Sequence, residues 1–383
     1  MCVFFYFLSL HKILLLGRIK VNFLCSRWYY LCTYNMRTLD MKYIALPNDK
    51  LLPELRKYDA DGHVVLLSDK VYRLSFYLAM EEYVARHVNE EDCFFMWQVN
   101  PSVIFGRNQL IENEVNIDYC RENGISMFRR KSGGGCVYAD MNNVMFSYIT
   151  KEVNVGFTFN RYINMVAAVL RKLGVEAIPS GRNDIMIEGR KVSGNAFYLA
   201  QGKSIVHGTM LYDTDMRNMV GAITPSSEKL LSKGVESVRQ HIALLKDYID
   251  ISIDEFLVFV MNHLCDGCIR LTDKDVKEIE EIEREYLTDE FVFGNNPRYM
   301  LVRKSRIDGV GDMEIRIEAK NNIIKKVNML GDYFIVGDID TGLLKRLIGV
   351  ALQKENLEKA LPDDLSEYVL NLKKEDFINI LLG

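Results

Sequence analysis

Residues 129–149, RRKSGGGCVYADMNNVMFSYI, constrain this chain more than any other stretch. Three consecutive glycines stand between a short apolar run at 125–128 and a longer run at 143–149 whose side chains alternate. That spacing predicts strand, tight loop, strand. Glycine has no Cβ, so a ligand can lie against the backbone and positive φ costs little. Successive N–H groups in such a turn form a concave anion site. Arg129, Arg130 and Lys131 would add positive charge beside it. The stretch points to a bound phosphate or carboxylate, although a plain glycine turn between strands accounts for the same residues.

The 383 residues suit two domains better than one. Hydrophobic residues make up 49% and charged residues 26%, enough to bury a sizeable core. A net charge of −4 argues against nucleic-acid binding by bulk charge. Eight cysteines are too sparse for a disulfide framework, which implies a reducing, cytoplasmic compartment. Residues 1–40 are apolar and aromatic but broken by basic residues, without a clean membrane span or signal-peptide order. The expectation is an over-extended or disordered start with folding from Met41; the alternative is an N-terminal anchor.

Downstream, 42–46 and 63–67 read as strands, and 75–88 as a helix. Phe76, Ala79, Met80, Tyr83, Val84 and His87 share one stripe of that helix, which leaves Glu81 and Glu82 on a solvated face. Residues 93–99 and 103–105 read as strands around a turn at Pro101, with Trp97 as a core or pocket wall. Asn116 caps a short helix that stops at Asn123-Gly124, and 158–173 is a strongly amphipathic helix.

The stretch 181–198, GRNDIMIEGRKVSGNAFY, reads as a hairpin turning at Glu188-Gly189. Simple register pairs Ile187 with Arg190, Met186 with Lys191 and Asp184 with Ser193. Asp184, Lys191 and Ser193 then share a face among small polar residues such as Asn183 and Gly194. Residues 204–211 form a strand carrying His207, and a lone strand histidine usually has a structural partner. Ser252 and Glu255 make a capping box, and 273–286 a charged helix. Cys265 and Cys268 with His263 supply only three zinc ligands, so ordinary cysteines near a helix end are expected. A boundary falls at the turn-rich 288–298. Beyond it, 312–319 and 323–329 form a hairpin through Asn321-Asn322, and the chain is helical from Thr341 on.

These residues carry a family resemblance. RRKSGGGCVYADMNN resembles the RRxSGGGxVxHDxGN signature of lipoate–protein ligases. GRNDI with GRKVSGNA resembles the family's second block, and HGTML its third. LAMEEY, FFMW and GRNQ also match in order, so the likeness spans roughly residues 41–383. It implies an α/β (α+β) fold: a biotin/lipoate ligase-like catalytic domain of mixed sheet plus helices at 41–288, and a small accessory domain at 289–383.

The resemblance also implies an activity. Lipoate would be activated with ATP and Mg²⁺ to lipoyl-AMP, then passed to a lysine of an acceptor. The acceptors would be lipoyl domains of 2-oxoacid dehydrogenase E2 subunits and glycine cleavage H protein. Nucleic acid and membrane would play no part. By position, Lys191 is the catalytic residue that serves both lipoate and nucleotide. Arg130, Gly133, Gly134, Gly135, Cys136, Val137, Tyr138, Asn143, Asn183 and Asp184 map to the ATP or lipoyl-AMP site, with Asp184 as the Mg²⁺ carboxylate. Trp97, Gly134, Gly135, Lys191 and His207 map to the lipoate pocket. The chain departs from the pattern at Ala139, at Met141-Asn142, at Cys136 and at Lys131. Three alternatives remain at this point: an ATP-independent acyltransferase of the same fold, which could use Cys136, a biotin ligase, and an idle acyl-carrier-binding module.

Overall fold

The computed structural model describes residues 40–66, 70–109, 111–180, 183–223, 241–293, 301–320 and 323–383. Residues 1–39, Gly181, the run 294–298 and the Asn321-Asn322 turn lie outside them. The centre is an eight-stranded mixed sheet. Its strands run, across the sheet, Gly267–Arg270, Met41–Ala45, Asp92–Trp97, Val144–Thr150, Lys203–Met210, Arg190–Ala200, Asp184–Ile187 and Ala177–Pro179. Met41–Ala45 pairs in parallel with both its neighbours, and the remaining pairs are antiparallel. Asp92–Trp97 and Val144–Thr150 are buried at every position, as strands covered on both faces must be.

The helix expected at 75–88 spans Leu74–His87, and its buried surface is not one stripe. Every residue from 74 to 85 is buried, Glu81 and Glu82 included, which corrects their assignment to a solvated face. The helix lies between the sheet strands Val144–Thr150 and Lys203–Met210 on one side and the helix Asp273–Tyr286 on the other. A carboxylate buried there must be hydrogen-bonded to be tolerated. Glu82 accepts from the Tyr286 hydroxyl and from Arg86 and meets Lys131 Nζ at 2.8 Å.

A second, three-stranded sheet carries the glycine loop. Ser102–Phe105 lies in its middle, parallel to Ser126–Arg129 and antiparallel to Val137–Ala139. The loop must therefore cross the end of the central strand. It does so against Gly106, where an added Cβ would lie 2.3 Å from the Gly134 carbonyl oxygen. Val103, Phe105, Ile111, Cys120, Tyr138 and Val292 fill the small core behind this sheet.

The C-terminal residues have a core of their own. Leu301–Ile307, Gly311–Lys320 and Ile323–Gly331 form an antiparallel sheet. Ile315, Ile317 and Ile324 pack there with Leu343, Leu357, Val369 and Phe377 from the helical tail. Full burial of each such side chain stabilises by roughly 1.5–3 kcal/mol. The sequence reading did not anticipate the strand Leu301–Ile307; its alternating burial marks it as a strand with one covered face. Two residues after this sheet, Tyr333 and Phe334 reach back to the glycine loop. Gly134 N donates to Tyr333 O at 3.1 Å, and Gly331 N donates to Asn108 O at 2.7 Å.

Gly106→Ala must push the backbone of the loop aside. It is expected to lower the free energy of urea unfolding by about 1–3 kcal/mol, read from equilibrium denaturation. An unchanged midpoint would show that the crossing is not tight.

Candidate active site

The basic run before the glycines is held by the protein's own groups. The buried Arg129 guanidinium donates to the carbonyls of Val292, Gly106, Arg107 and Gln109. Lys131 turns the other way, 2.8 Å from Glu82 and 2.7 Å from Glu285, above the Tyr286 ring. Arg130, expected to hold phosphate oxygens, donates to Ser132 Oγ at 2.9 Å, Ile104 O at 3.1 Å, and Gly133 O and Gly135 O at 2.7 Å. Burial pulls its pKa down to about 10. All three cations thus have partners within the protein. Buried backbone carbonyls need donors, and a planar fork with five N–H groups meets several at once.

The hairpin turns at Glu188 and Gly189, both at positive φ (50° and 76°), as a two-residue turn requires. Ile187 pairs with Arg190 and Met186 with Lys191, as read from sequence. A bulge then shifts the register, so Asp184 lies opposite Gly194 rather than Ser193. The shift has a use. A Cβ at Gly194 would lie 2.6 Å from Lys191 Cε and Nζ, so only glycine lets that side chain lie across it. Lys191 Nζ thereby reaches Asp184 Oδ1 at 2.8 Å. Asn183 and Asn195 hold the base of the hairpin by reciprocal bonds to each other's carbonyl, each 2.8 Å.

Loop and hairpin enclose a cavity of about 110 Å³. Of the residues expected at the site, Trp97, Arg130, Gly134, Gly135, Cys136, Val137, Asn183, Lys191 and His207 line it. Gly135 faces open space, with no atom within 4 Å of where a Cβ would be. Trp97 stacks on Tyr77 at 4.9 Å and donates its indole N–H to Ser147 Oγ at 2.9 Å. His207 lies 2.9 Å from Glu81 through Nδ1 and 2.6 Å from Ser132 through Nε2. Burial pushes the Cys136 thiol far above its ordinary value, and the Glu114 charge adds to this.

Four expected residues are not in the cavity wall. Asp184 touches the site through Lys191. Gly133 is pressed beneath Tyr333, with 2.2 Å from an added Cβ to its carbonyl oxygen. Tyr138 belongs to the small core. Asn143 is fully buried and donates to Thr214 Oγ1 at 2.8 Å, so its side chain fixes the turn after the loop. The sequence reading missed Leu78, Met145 and Phe334. Phe334 is the furthest in sequence, and no local pattern in its strand-end segment marks it for a cavity some two hundred residues upstream.

The model of the lipoyl protein ligase A/B catalytic domain matches residues 74–265, and that of the bacterial lipoate protein ligase C-terminus matches 296–381. A lipoate-protein ligase of Bacillus subtilis is 35% identical over 317 residues, 79% of this chain and 95% of its own. Lipoate–protein ligase 1 of Staphylococcus aureus is 33% identical over 314 residues, again 79% and 95%. The chain belongs to the lipoate–protein ligase family. Its activity is that of the family, ATP-dependent joining of lipoate to protein.

Solved structures agree on the fold. A P. falciparum crystal structure in complex with lipoate matches over 89% of this chain and 98% of that one, with TM-score 0.65 and 18% identity. A bi-partite lipoate protein ligase from Thermoplasma acidophilum, described with its E2 lipoyl domain, covers 69% and 100% at TM-score 0.56 and 25% identity. A lipoate-protein ligase A bound with ATP covers 60% and 99% at TM-score 0.50 and 26% identity.

Glu114 lies beside the loop, and burial together with the charges of Asp332 and Asp312 raises its pKa to about 7. A carboxyl that titrates higher folded than unfolded binds protons preferentially in the folded state, so stability falls as pH rises from about 4.5 to about 7. Glu114→Gln is expected to flatten that slope and to raise the melting temperature at pH 8. A slope unchanged in the variant would remove Glu114 as its cause.

Proposed function

We propose that the cavity between loop and hairpin is an acyl-adenylate site in which Lys191 serves both reacting anions. Lipoate's carboxylate attacks the α-phosphorus of ATP, giving lipoyl-AMP and pyrophosphate. The acceptor lysine's amine then attacks the acyl carbon and AMP leaves. The first step brings two anions together, so it needs a cation held between them. The carrying observation is Lys191 at the wall shared with Gly134 and Gly135, its ammonium paired, among the described residues, with Asp184 alone. Both partners of that pair are partly exposed, at 39% and 27%, so the pair is weak and the ammonium can exchange it for substrate oxygens. A point charge suits a bridge between a carboxylate and a phosphate better than a planar fork does.

The other roles follow from placement. Gly134 and Gly135 bring backbone close to the nucleotide, and Cys136 and Val137 continue that wall. Arg130 acts on the nucleotide by shaping the loop. Asn183 holds the hairpin base, and Trp97 and His207 border the acyl slot. Tyr138 and Asn143 support the loop from behind.

Among the described residues, no three His, Cys, Asp or Glu side chains gather as a metal site. Asp184 is a hard oxygen donor beside Lys191 and fits an ion carried mainly by the polyphosphate. Mg²⁺ bound there would neutralise phosphate charge, and Asp184 is the side chain that would hold it.

The acceptor is a lipoyl domain, a reading supported by the archaeal ligase described with its E2 lipoyl domain. Glycine cleavage H protein offers the same lysine chemistry. Residues 41–288 would form the catalytic domain and 289–383 the accessory one. A cytoplasmic setting is supported by the free thiols of Cys93, Cys120, Cys136, Cys265 and Cys268. Among the described residues, no helix is long and apolar enough to cross a membrane. The thiol-dependent alternative is disfavoured, because a Cys136 held protonated by burial is a poor nucleophile.

Purified protein with ATP, Mg²⁺, lipoate and an apo lipoyl domain is expected to yield modified acceptor and pyrophosphate. Lys191→Ala is expected to lose roughly 10²-fold or more in kcat, the scale of other electrostatic stabilisers. Near-wild-type turnover in that variant would remove Lys191 from the mechanism.

A further inference from the structure

We propose that Glu81 is a positioning residue of adenylation, acting on the glycine loop through His207 and Ser132 and on the acyl slot through Ser147 and Trp97. The proposal rests on the acyl-adenylate reading of the cavity. Glu81 is fully buried in the middle of the helix Leu74–His87. Ser147 Oγ donates to its Oε1 at 2.6 Å, and Tyr198 OH donates to Oε2 at 3.2 Å. His207 Nδ1 lies 3.0 and 2.9 Å from the two carboxylate oxygens.

Two branches leave this carboxylate, and both end at the cavity. In one, Trp97 Nε1 donates to Ser147 Oγ at 2.9 Å, so the serine hydrogen is free to point at Glu81. In the other, His207 Nε2 lies 2.6 Å from Ser132 Oγ, which accepts Arg130 Nε–H at 2.9 Å. The Glu81 carboxylate has no hydrogen to give, so the imidazole carries its proton on Nδ1, facing it. In that neutral tautomer Nε2 is the acceptor, and the Ser132 hydroxyl donates to it. Arg130 then holds the carbonyls of Gly133 and Gly135, each at 2.7 Å. One carboxylate thus sets the hydrogen-bond direction from the indole of the acyl slot to the backbone of the nucleotide loop.

Only an acceptor-only side chain can take three donors at once. A glutamine in this place would turn an N–H₂ toward donors and reverse the imidazole. The Ser132–His207–Glu81 order also resembles a nucleophile with its base, but Ser132 is fully buried and its oxygen is already an acceptor for Arg130, so it has no access to an acyl group. A core that needed only packing would be served better by apolar residues, since a buried carboxylate carries a desolvation cost.

The test measures lipoate-dependent pyrophosphate release with ATP and lipoate varied separately, and transfer from supplied lipoyl-AMP to an apo lipoyl domain. Glu81→Gln is expected to raise the KM of both ATP and lipoate roughly tenfold or more, the scale of a lost buried hydrogen bond to a charged group. Transfer from supplied lipoyl-AMP should change far less, because its two halves arrive already joined. Ser132→Ala cuts only the loop branch and should raise the KM of ATP. Ser147→Ala cuts only the slot branch and should raise that of lipoate. If Glu81→Gln fails to fold, the two serine variants carry the test. Serine variants that match wild type, or that each raise both KM values alike, would overturn the proposal. So would equal losses in both half-reactions for Glu81→Gln. Absence of pyrophosphate release by the wild type would instead count against the acyl-adenylate reading itself.

Discussion

The site depends on one buried guanidinium. Arg130 joins Ile104 at the end of a strand, Ser132 at the start of the loop, and the carbonyls of Gly133 and Gly135 within it. A chain of three glycines has the largest conformational entropy to lose on ordering. Donors from one rigid planar group offset that loss and give the loop a single shape. Arg129 does the same for the neighbouring turn at 106–109. The two arginines before the glycines thus bond the protein's own backbone and Lys131 pairs with Glu82 and Glu285, while Lys191, from the far hairpin, is the ammonium at the cavity wall among the described residues.

The glycines are needed for a reason that the single stretch does not reveal. Gly106 meets the loop from below and Tyr333 meets Gly133 from the C-terminal module. Phe334 from that module lines the cavity and rests edge-on against Phe159 at 6.0 Å. Two segments far apart in sequence therefore fix one short loop at the cavity wall.

Local pattern made much of this legible. The strands read at 125–128 and 143–149 and the turn at Glu188-Gly189 follow from alternation and turn chemistry and hold in three dimensions, while the short strand Val137–Ala139 between them was not read. The capping box at Ser252 and the helix Asp273–Tyr286 hold as well. What failed was everything decided by a partner elsewhere. Glu81 and Glu82 read as solvated because the stripe test sees one face, whereas this helix is covered on two sides. Asp184 was set against Ser193 because alternation cannot anticipate a bulge. Arg130 and Lys131 read only as positive charge beside the loop, because their carbonyl and carboxylate partners come from other elements. Phe334 left no local signal, since a cavity wall drawn from a second module is a property of packing alone.

If Lys191 acts as proposed, the cavity holds a non-covalent acyl-adenylate. The most direct measurement incubates the protein with ATP, Mg²⁺ and lipoate, without acceptor, and weighs it by native and then denaturing mass spectrometry. A mass increase equal to lipoyl-AMP is expected in the native spectrum and is expected to disappear on denaturation. An acyl group that survives denaturation on Cys136, or one that forms without ATP, would contradict it.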